Sequence, residues 1–156
     1  HKYFAELEKK GKKVVVVTQN IDGLHQAASS SLVYELHGNV HRNYCEKCNR
    51  LFGVKYILDS KEIPVCDKCG GVIKPDVVLY EEPLNEDIIT RTISAIMTCD
   101  VLVVVGTSLI VYPAAGFLRY FRGKYLIVIN KTETPYDNMC DLVINEDVES
   151  VIKKII

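Results

Sequence analysis

Four cysteines, arranged Cys45-x2-Cys48-x17-Cys66-x2-Cys69, carry the most chemically specific spacing in this chain. Each C-x-x-C forms a knuckle that presents two thiolates to one ion, and Gly70-Gly71 lets backbone amides turn toward the sulfurs. Four thiolates close a tetrahedron around Zn2+ and leave no open position for water or substrate, so the expected role is structural. A redox pair is the competing reading, but two pairs at ribbon spacing, in a chain that opens without a secretory signal, speak against it. Cys99 and Cys140, at the ends of predicted elements, read as small buried hydrophobes.

Three further polar sets each follow an apolar run. Thr18-Gln19-Asn20-Ile21-Asp22-Gly23-Leu24-His25 follows residues 14–17, and Gln19, Asn20 and Asp22 have the donors and acceptors to bind an amide or sugar hydroxyls. Asn20 or Asp22 would equally cap a helix, and one residue can do so while its neighbours face a ligand. Gly106-Thr107-Ser108 follows residues 101–105 and suits a phosphate or ribose near a helix start at Pro113. Asn130 and Thr134 follow residues 126–129. His37-Gly38 closes the short run 33–36; histidine as a residue type titrates near neutrality and serves as a general base, although a lone histidine more often only packs. Lys74 to Tyr80 is extended and apolar, fit for a sheet strand or for pairing with an incoming peptide.

The elements that must position these residues follow a strand and helix rhythm. Residues 14–17, 101–105 and 126–129 are unbroken β-branched or aliphatic runs, as expected of parallel strands covered on both faces, and 142–144 reads as a fourth. Between them, helices are expected at 2–10 with Gly11 as C-cap, at 85–98 with Ile89, Ile93, Ile96 and Met97 inward, from Pro113 to Phe121, and from Asp147 with Val148, Val151, Ile152 and Ile155 inward. In open sheets of this kind, ligands gather beyond the carboxyl ends of the strands. The expected fold is therefore α/β, a Rossmann-like parallel sheet flanked by helices, over 1–38 and 75–156. Residues 39–74 break the rhythm and read as an inserted small zinc-ribbon module, too small to hold a core without a staple.

At 156 residues the chain can bury a real core. Its 19 basic and 20 acidic side chains give a net charge of −1, which offers no general grip on nucleic acid. No apolar run reaches the roughly 20 residues that span a bilayer, so a soluble cytoplasmic protein without membrane contact is expected. Between 75 and 100, Asp76, Glu81, Glu82, Glu86, Asp87 and Asp100 face only Arg91, which reads as a solvated face or as attraction for a basic peptide.

Taken together, the TQNIDGLH, ELHG, paired C-x-x-C, KPDVVLYEE and GTSLIVYPAA segments and the run from Asn130 to Thr134 resemble the sirtuin family of NAD-dependent protein deacylases, over nearly the whole chain and in the family's motif order. The resemblance implies that NAD lies between the large domain and the zinc module and that an acyl-lysine peptide enters the cleft. It implies His37 as the base. The acyl oxygen attacks C1′ of the nicotinamide ribose, nicotinamide leaves, and the activated 2′-oxygen takes the acyl group as 2′-O-acyl-ADP-ribose. Asn20 and Asp22 carry over as catalytic residues. Gln19, Asn20, Ile21, Asp22, Gly106, Thr107, Ser108, Asn130, Asp147 and Val148 carry over as NAD contacts, and Val77, Val78, Leu79 and Tyr80 as peptide contacts.

The resemblance has departures. Ala28-Ser29 stands where the family has alanine-glycine, and Tyr80-Glu81 where phenylalanine-glycine is common, which makes the acyl entrance more polar. The family's glycine-rich phosphate loop would precede His1, so residues 1–156 alone are expected to be inactive although the parent protein is an enzyme. Mono-ADP-ribosyl transfer from the same site, or a zinc-ribbon interaction module without turnover, are the other readings.

Overall fold

The computed structural model describes residues 1–155. They fall into two compact units that divide between Ile88 and Ile89. No helix among the described residues is long and apolar enough to cross a membrane.

The first unit opens with α1 (Lys2–Lys9). Gly11, at φ +82, lets its own amide reach Glu8 and the Lys12 amide reach Leu7, the paired bonds of a Schellman stop. Strand β1 (Val16–Thr18) is shorter than the valine run, which lies outside the strand at Val14 and Val15. Its one sheet partner is β2 (Val33–Glu35), parallel and in register Val16 to Val33, with the four-residue helix α2 (Leu24–Ala27) on the connection. Next comes an antiparallel sheet in the order β4-β3-β5, built from β3 (Gly38–Cys45), β4 (Leu51–Gly53) and β5 (Ile73–Val77), with α3 (Val54–Leu58) following β4. Its core is only Cys45, Phe52, Cys66 and Ile73, flanked by Tyr56, Ile57 and Cys69.

The second unit takes most of α4 (Glu86–Thr98), whose start is capped where Asn85 Oδ1 accepts the Ile88 amide at 3.1 Å. Strands β6 (Val101–Val105), β7 (Tyr125–Ile129) and β8 (Leu142–Ile144) pair in parallel in that order, followed by α5 (Val148–Ile155). Leu109, Leu118 and Leu126 form its packed centre, lined by Leu102, Val104 and Tyr136.

Four expectations are corrected. Strand β6 is not covered on both faces: it is an edge strand, with Val101 44% and Val103 38% exposed, while central β7 is buried at Leu126, Val128 and Ile129. On α4 the buried stripe runs through Thr92 and Ile96, and Met97 faces solvent. The Pro113 segment is a 3₁₀ helix (Ala114–Tyr120), with the Gly116 amide bonded to the Pro113 carbonyl three residues back. Along α5 only Val151 is buried, and Ile155 is 58% exposed.

Candidate functional site

The zinc-type knuckles are near copies of each other. In the first, the Asn49 amide donates to the Cys45 carbonyl at 2.8 Å and the Cys45 amide to Arg50 at 2.9 Å. In the second, Gly70 donates to Cys66 and Cys66 to Gly71, both at 2.8 Å. Asn49 (φ 57) and Gly70 (φ 69) occupy the same left-handed place, which glycine and asparagine reach at least cost. A side chain on Gly71 would lie 2.8 Å from the Cys45 sulfur, so this position has to be glycine. The four sulfurs lie within 4.8 Å of one another, with Cys45 to Cys69 at 3.4 Å and Cys48 to Cys66 at 3.7 Å. A tetrahedron with metal–sulfur bonds of about 2.3 Å has edges of roughly 3.8 Å, so the spacing fits a metal; a disulfide needs roughly 2.05 Å. Burial opposes ionisation of Cys45, but the Cys48 and Lys47 amides and the neighbouring thiols outweigh it and bring the group down to about 7. The donor set, the spacing and the amides turned to sulfur all suit a thiolate-bound divalent ion.

Beside the module, the polar loop 18–25 is stitched to β3. The Val40 amide donates to the Ile21 carbonyl at 3.0 Å, and His41 Nε2 meets the Asp22 carbonyl at 3.1 Å. Gly23, at φ +68, packs closely on His41 and Asn39. Asp22 Oδ1 accepts the Leu24 amide at 2.9 Å in a turn that leads into α2, whose N-cap is Gly23. The Asn20 amide bonds Thr18 Oγ1 at 3.0 Å, and the residue is exposed. Gln19 contributes its carbonyl, which lies 3.0 Å from His37 Nδ1. A carbonyl only accepts, so Nδ1 is the donor in this bond, and in the neutral ring the lone pair is then on Nε2. The half-buried His37 is thus tethered through Nδ1, and Nε2 is the ring nitrogen left for other partners.

Gly38 sits at φ +78 against β5, and the Val78 amide donates to the His37 carbonyl at 3.0 Å. The segment after β5 is less free than its sequence suggests. The Leu79 amide is taken by Glu82 Oε2 at 2.9 Å, and Lys74 Nζ reaches both the Val77 carbonyl and Glu82. An added strand would have to use the segment's other main-chain groups. Tyr80 is fully exposed. The acidic run has local roles: Glu82 closes this turn, and Glu86 and Asp87 face the positive end of α4. Around the His37-Gly38 turn, Glu35, Asn39 and Arg42 are joined by an ion pair and hydrogen bonds, and residue types alone gave them no role.

In the second unit, parallel register places the carboxyl ends of three strands side by side. The Gly106 amide bonds the Ile129 carbonyl at 3.1 Å, and the Asn130 amide bonds Ile144 at 3.1 Å. Gly106 (φ +60) and Ser108 are exposed, while Thr107 Oγ1 accepts the Leu109 amide at 3.2 Å. Asn130 Nδ2 is turned to the Thr132 carbonyl at 2.9 Å. Asp147 caps α5 through Glu149 and Ser150 and pairs with Lys131 at 3.1 Å; this cation first, then the Ser150 amide, holds its carboxyl below the ordinary range. Val148 begins that helix. Gly106, Thr107, Ser108, Asn130, Asp147 and Val148 thus gather at one edge of one sheet, as Gln19, Asn20, Ile21, Asp22 and His37 gather beside β2 and β3.

The Sir2 family model matches residues 1–113 of the chain. The chain belongs to the Sir2 family. An NAD-dependent protein deacetylase of Clostridium acetobutylicum is 55% identical over 157 residues, covering the whole of this chain and 64% of its own length. One of Staphylococcus aureus is 46% identical over 99% of this chain and 63% of its own. The chain therefore spans less than two thirds of the curated relatives it matches. Among solved structures, Sir2 in complex with the inhibitor EX-527, 2′-O-acetyl-ADP-ribose and deacetylated p53 peptide superposes with a TM-score of 0.91 at 38% identity, covering 99% of this chain and 68% of that one. Sir2 with p53 peptide and NAD+ gives 0.91 at 39%, covering 99% and 67%. This Sir2 chain thus has the family's fold, with the parallel strands, flanking helices and four-cysteine cluster expected from its sequence.

Proposed function

We propose that the protein carrying this chain removes acyl groups from protein lysines in an NAD-dependent reaction, releasing nicotinamide and 2′-O-acyl-ADP-ribose. The observation that carries the reading is the tether of His37: Nδ1 lies 3.0 Å from the Gln19 carbonyl, which leaves Nε2 as the nitrogen that can act as a base. The deacetylase names of relatives at 55% and 46% identity support this reaction over ADP-ribosyl transfer to protein.

In this reading the chain's own groups divide the work. NAD, when bound, supplies the ribose carbon that is attacked and the hydroxyl that receives the acyl group. His37 takes the proton of that hydroxyl at Nε2. Gln19 both orients the base and faces the ribose, and Asn20, Ile21 and Asp22 shape the nicotinamide pocket. Gly106, Thr107 and Ser108 contact phosphate and ribose, and Asn130, Asp147 and Val148 approach the adenosine. Val77 to Tyr80 receives the acyl-lysine strand. Cys45, Cys48, Cys66 and Cys69 hold Zn2+ as a structural ion, and a reducing cytoplasm suits six cysteines that are all free.

His37→Ala in the whole protein is the test. Deacylation of an acyl-peptide, read as the deacylated peptide formed, should fall at least a hundredfold, with one zinc per chain and the thermal transition retained. Full activity in the variant would refute His37 as the base, and a wild-type protein that releases no nicotinamide with any acyl-peptide would refute the function.

A further inference from the structure

One buried carboxylate joins both halves of the site in the first unit. Glu35 ends β2, two residues before His37, and its side chain is only 8% exposed. It accepts from Gln26 Nε2 at 2.7 Å, from Asn39 Nδ2, and from Arg42 Nη1 at 2.7 Å. Arg42 Nε then reaches Asp76 Oδ2 at 2.7 Å. Helix α2, strands β2 and β3, and β5 are tied through one guanidinium and two carboxylates.

The surroundings make this more than a surface ion pair. Glu35, Arg42 and Asp76 line a cavity of about 330 Å³ together with Val33, Leu36 and Val78. A carboxylate as covered as Glu35 is costly unless paired, and the planar fork of arginine meets two carboxylates at once where lysine reaches one. Partial burial works against the Arg42 charge, but the hydrogen bonds to Asp76 and Glu35 outweigh it and raise its pKa. The bridge ends at Asp76, one residue before the segment assigned to the peptide, and Val78 is bonded to the carbonyl of His37 itself.

We propose that Glu35, Arg42 and Asp76 are positioning residues that hold the peptide-receiving segment 77–80 against the His37-Gly38 turn, setting affinity for the acyl-lysine strand rather than the rate at which bound substrate reacts. This inference rests on the deacylase reading above.

Steady-state deacylation by the whole protein, with peptide and NAD varied separately, tests it. Asp76→Ala is the sharpest variant, because Asp76 is half exposed and its loss leaves Glu35 and Arg42 paired. The peptide KM should rise about fivefold while the NAD KM and kcat stay within about twofold, and Arg42→Lys should act the same way. In parallel, hydrogen exchange at the Val78 amide should quicken about fivefold in Asp76→Ala, with the Cys45 amide of the first knuckle unchanged. An unaltered peptide KM, or equal losses in kcat and KM, would overturn the proposal. If the wild type turned over no acyl-peptide, the deacylase reading would fall, and Val78 exchange alone would decide the positioning: faster exchange upholds it, unchanged exchange overturns it.

Discussion

Substituting Gly38 by alanine asks whether the turn beside the base needs a residue without a side chain, and the structure gives the size of the answer. At φ +78 an L-residue costs roughly 1 kcal/mol. A Cβ there would also lie 2.0 Å from the Asp76 carbonyl oxygen and 2.9 Å from its carbon, both backbone atoms that no rotamer change can move. Relief requires β5 to retreat on the order of 1 Å, which stretches the 3.0 Å bond from Val78 to His37; losing that bond costs about another 1 kcal/mol. The expected destabilisation is about 2 kcal/mol, a fall of roughly 6 °C in the melting temperature of a chain this size. Gly11→Ala is the internal control. Gly11 has nearly the same dihedral, φ +82, and lies in the same unit, but a Cβ there would meet nothing within 4 Å, so the change should cost only the backbone strain. Urea unfolding of both variants, followed by a probe in the first unit, measures the difference. Equal destabilisation of the two would refute the close approach between Gly38 and β5, and with it the account of how His37 is braced.

Three further outcomes are expected. Treatment with a strong chelator should melt the β3-β4-β5 sheet, because two of the four residues in its core, Cys45 and Cys66, belong to the four-cysteine cluster proposed to hold the ion; amide exchange should show strands β6 to β8 still protected, and retained protection throughout would argue against a structural ion. Ser29 (φ 73) and Glu81 (φ 70) occupy left-handed positions that glycine reaches at less cost, so Ser29→Gly should stabilise by about 0.5–1 kcal/mol in denaturant titration, and a loss would show that the strain is offset locally. Asp147, its carboxyl lowered by Lys131 and the Ser150 amide, contributes stability that is present above the ordinary aspartate value and lost as pH falls through its lower folded value; the Ser150 amide shift should therefore titrate below the usual aspartate range, and an inflection at the ordinary value would contradict the pairing.

Different physical signals made different parts of this chain legible. The cysteine spacing was readable because two thiolates two residues apart can meet one ion only through a tight knuckle, and Asn49 and Gly70 supply the left-handed residues that close those knuckles. Strands β6 to β8 were readable as aliphatic runs, but a run reports affinity for burial and not what covers it, which is why β6 could be an edge strand with Val101 and Val103 exposed. The run at 14–17 misled for the opposite reason: only Val16 and Val17 of it have a strand partner, in the three-residue β2 that no periodicity could announce. The 3₁₀ geometry of Ala114–Tyr120 also leaves no trace in an apolar pattern that both helix types share. The Glu35 bridge was the least legible, since its partners lie 4, 7 and 9 residues away in sequence and the last link, from Arg42 to Asp76, spans 34. Glu35 was in view as part of ELHG, and one signal was available there. It is a charged residue between the apolar Tyr34 and Leu36, at the end of a strand leading to His37, and a carboxylate so placed must find a cation when the sheet forms. The chemistry of the site could therefore be read from residue types, whereas its bracing depends on pairings that exist only once β2, β3 and β5 have come together.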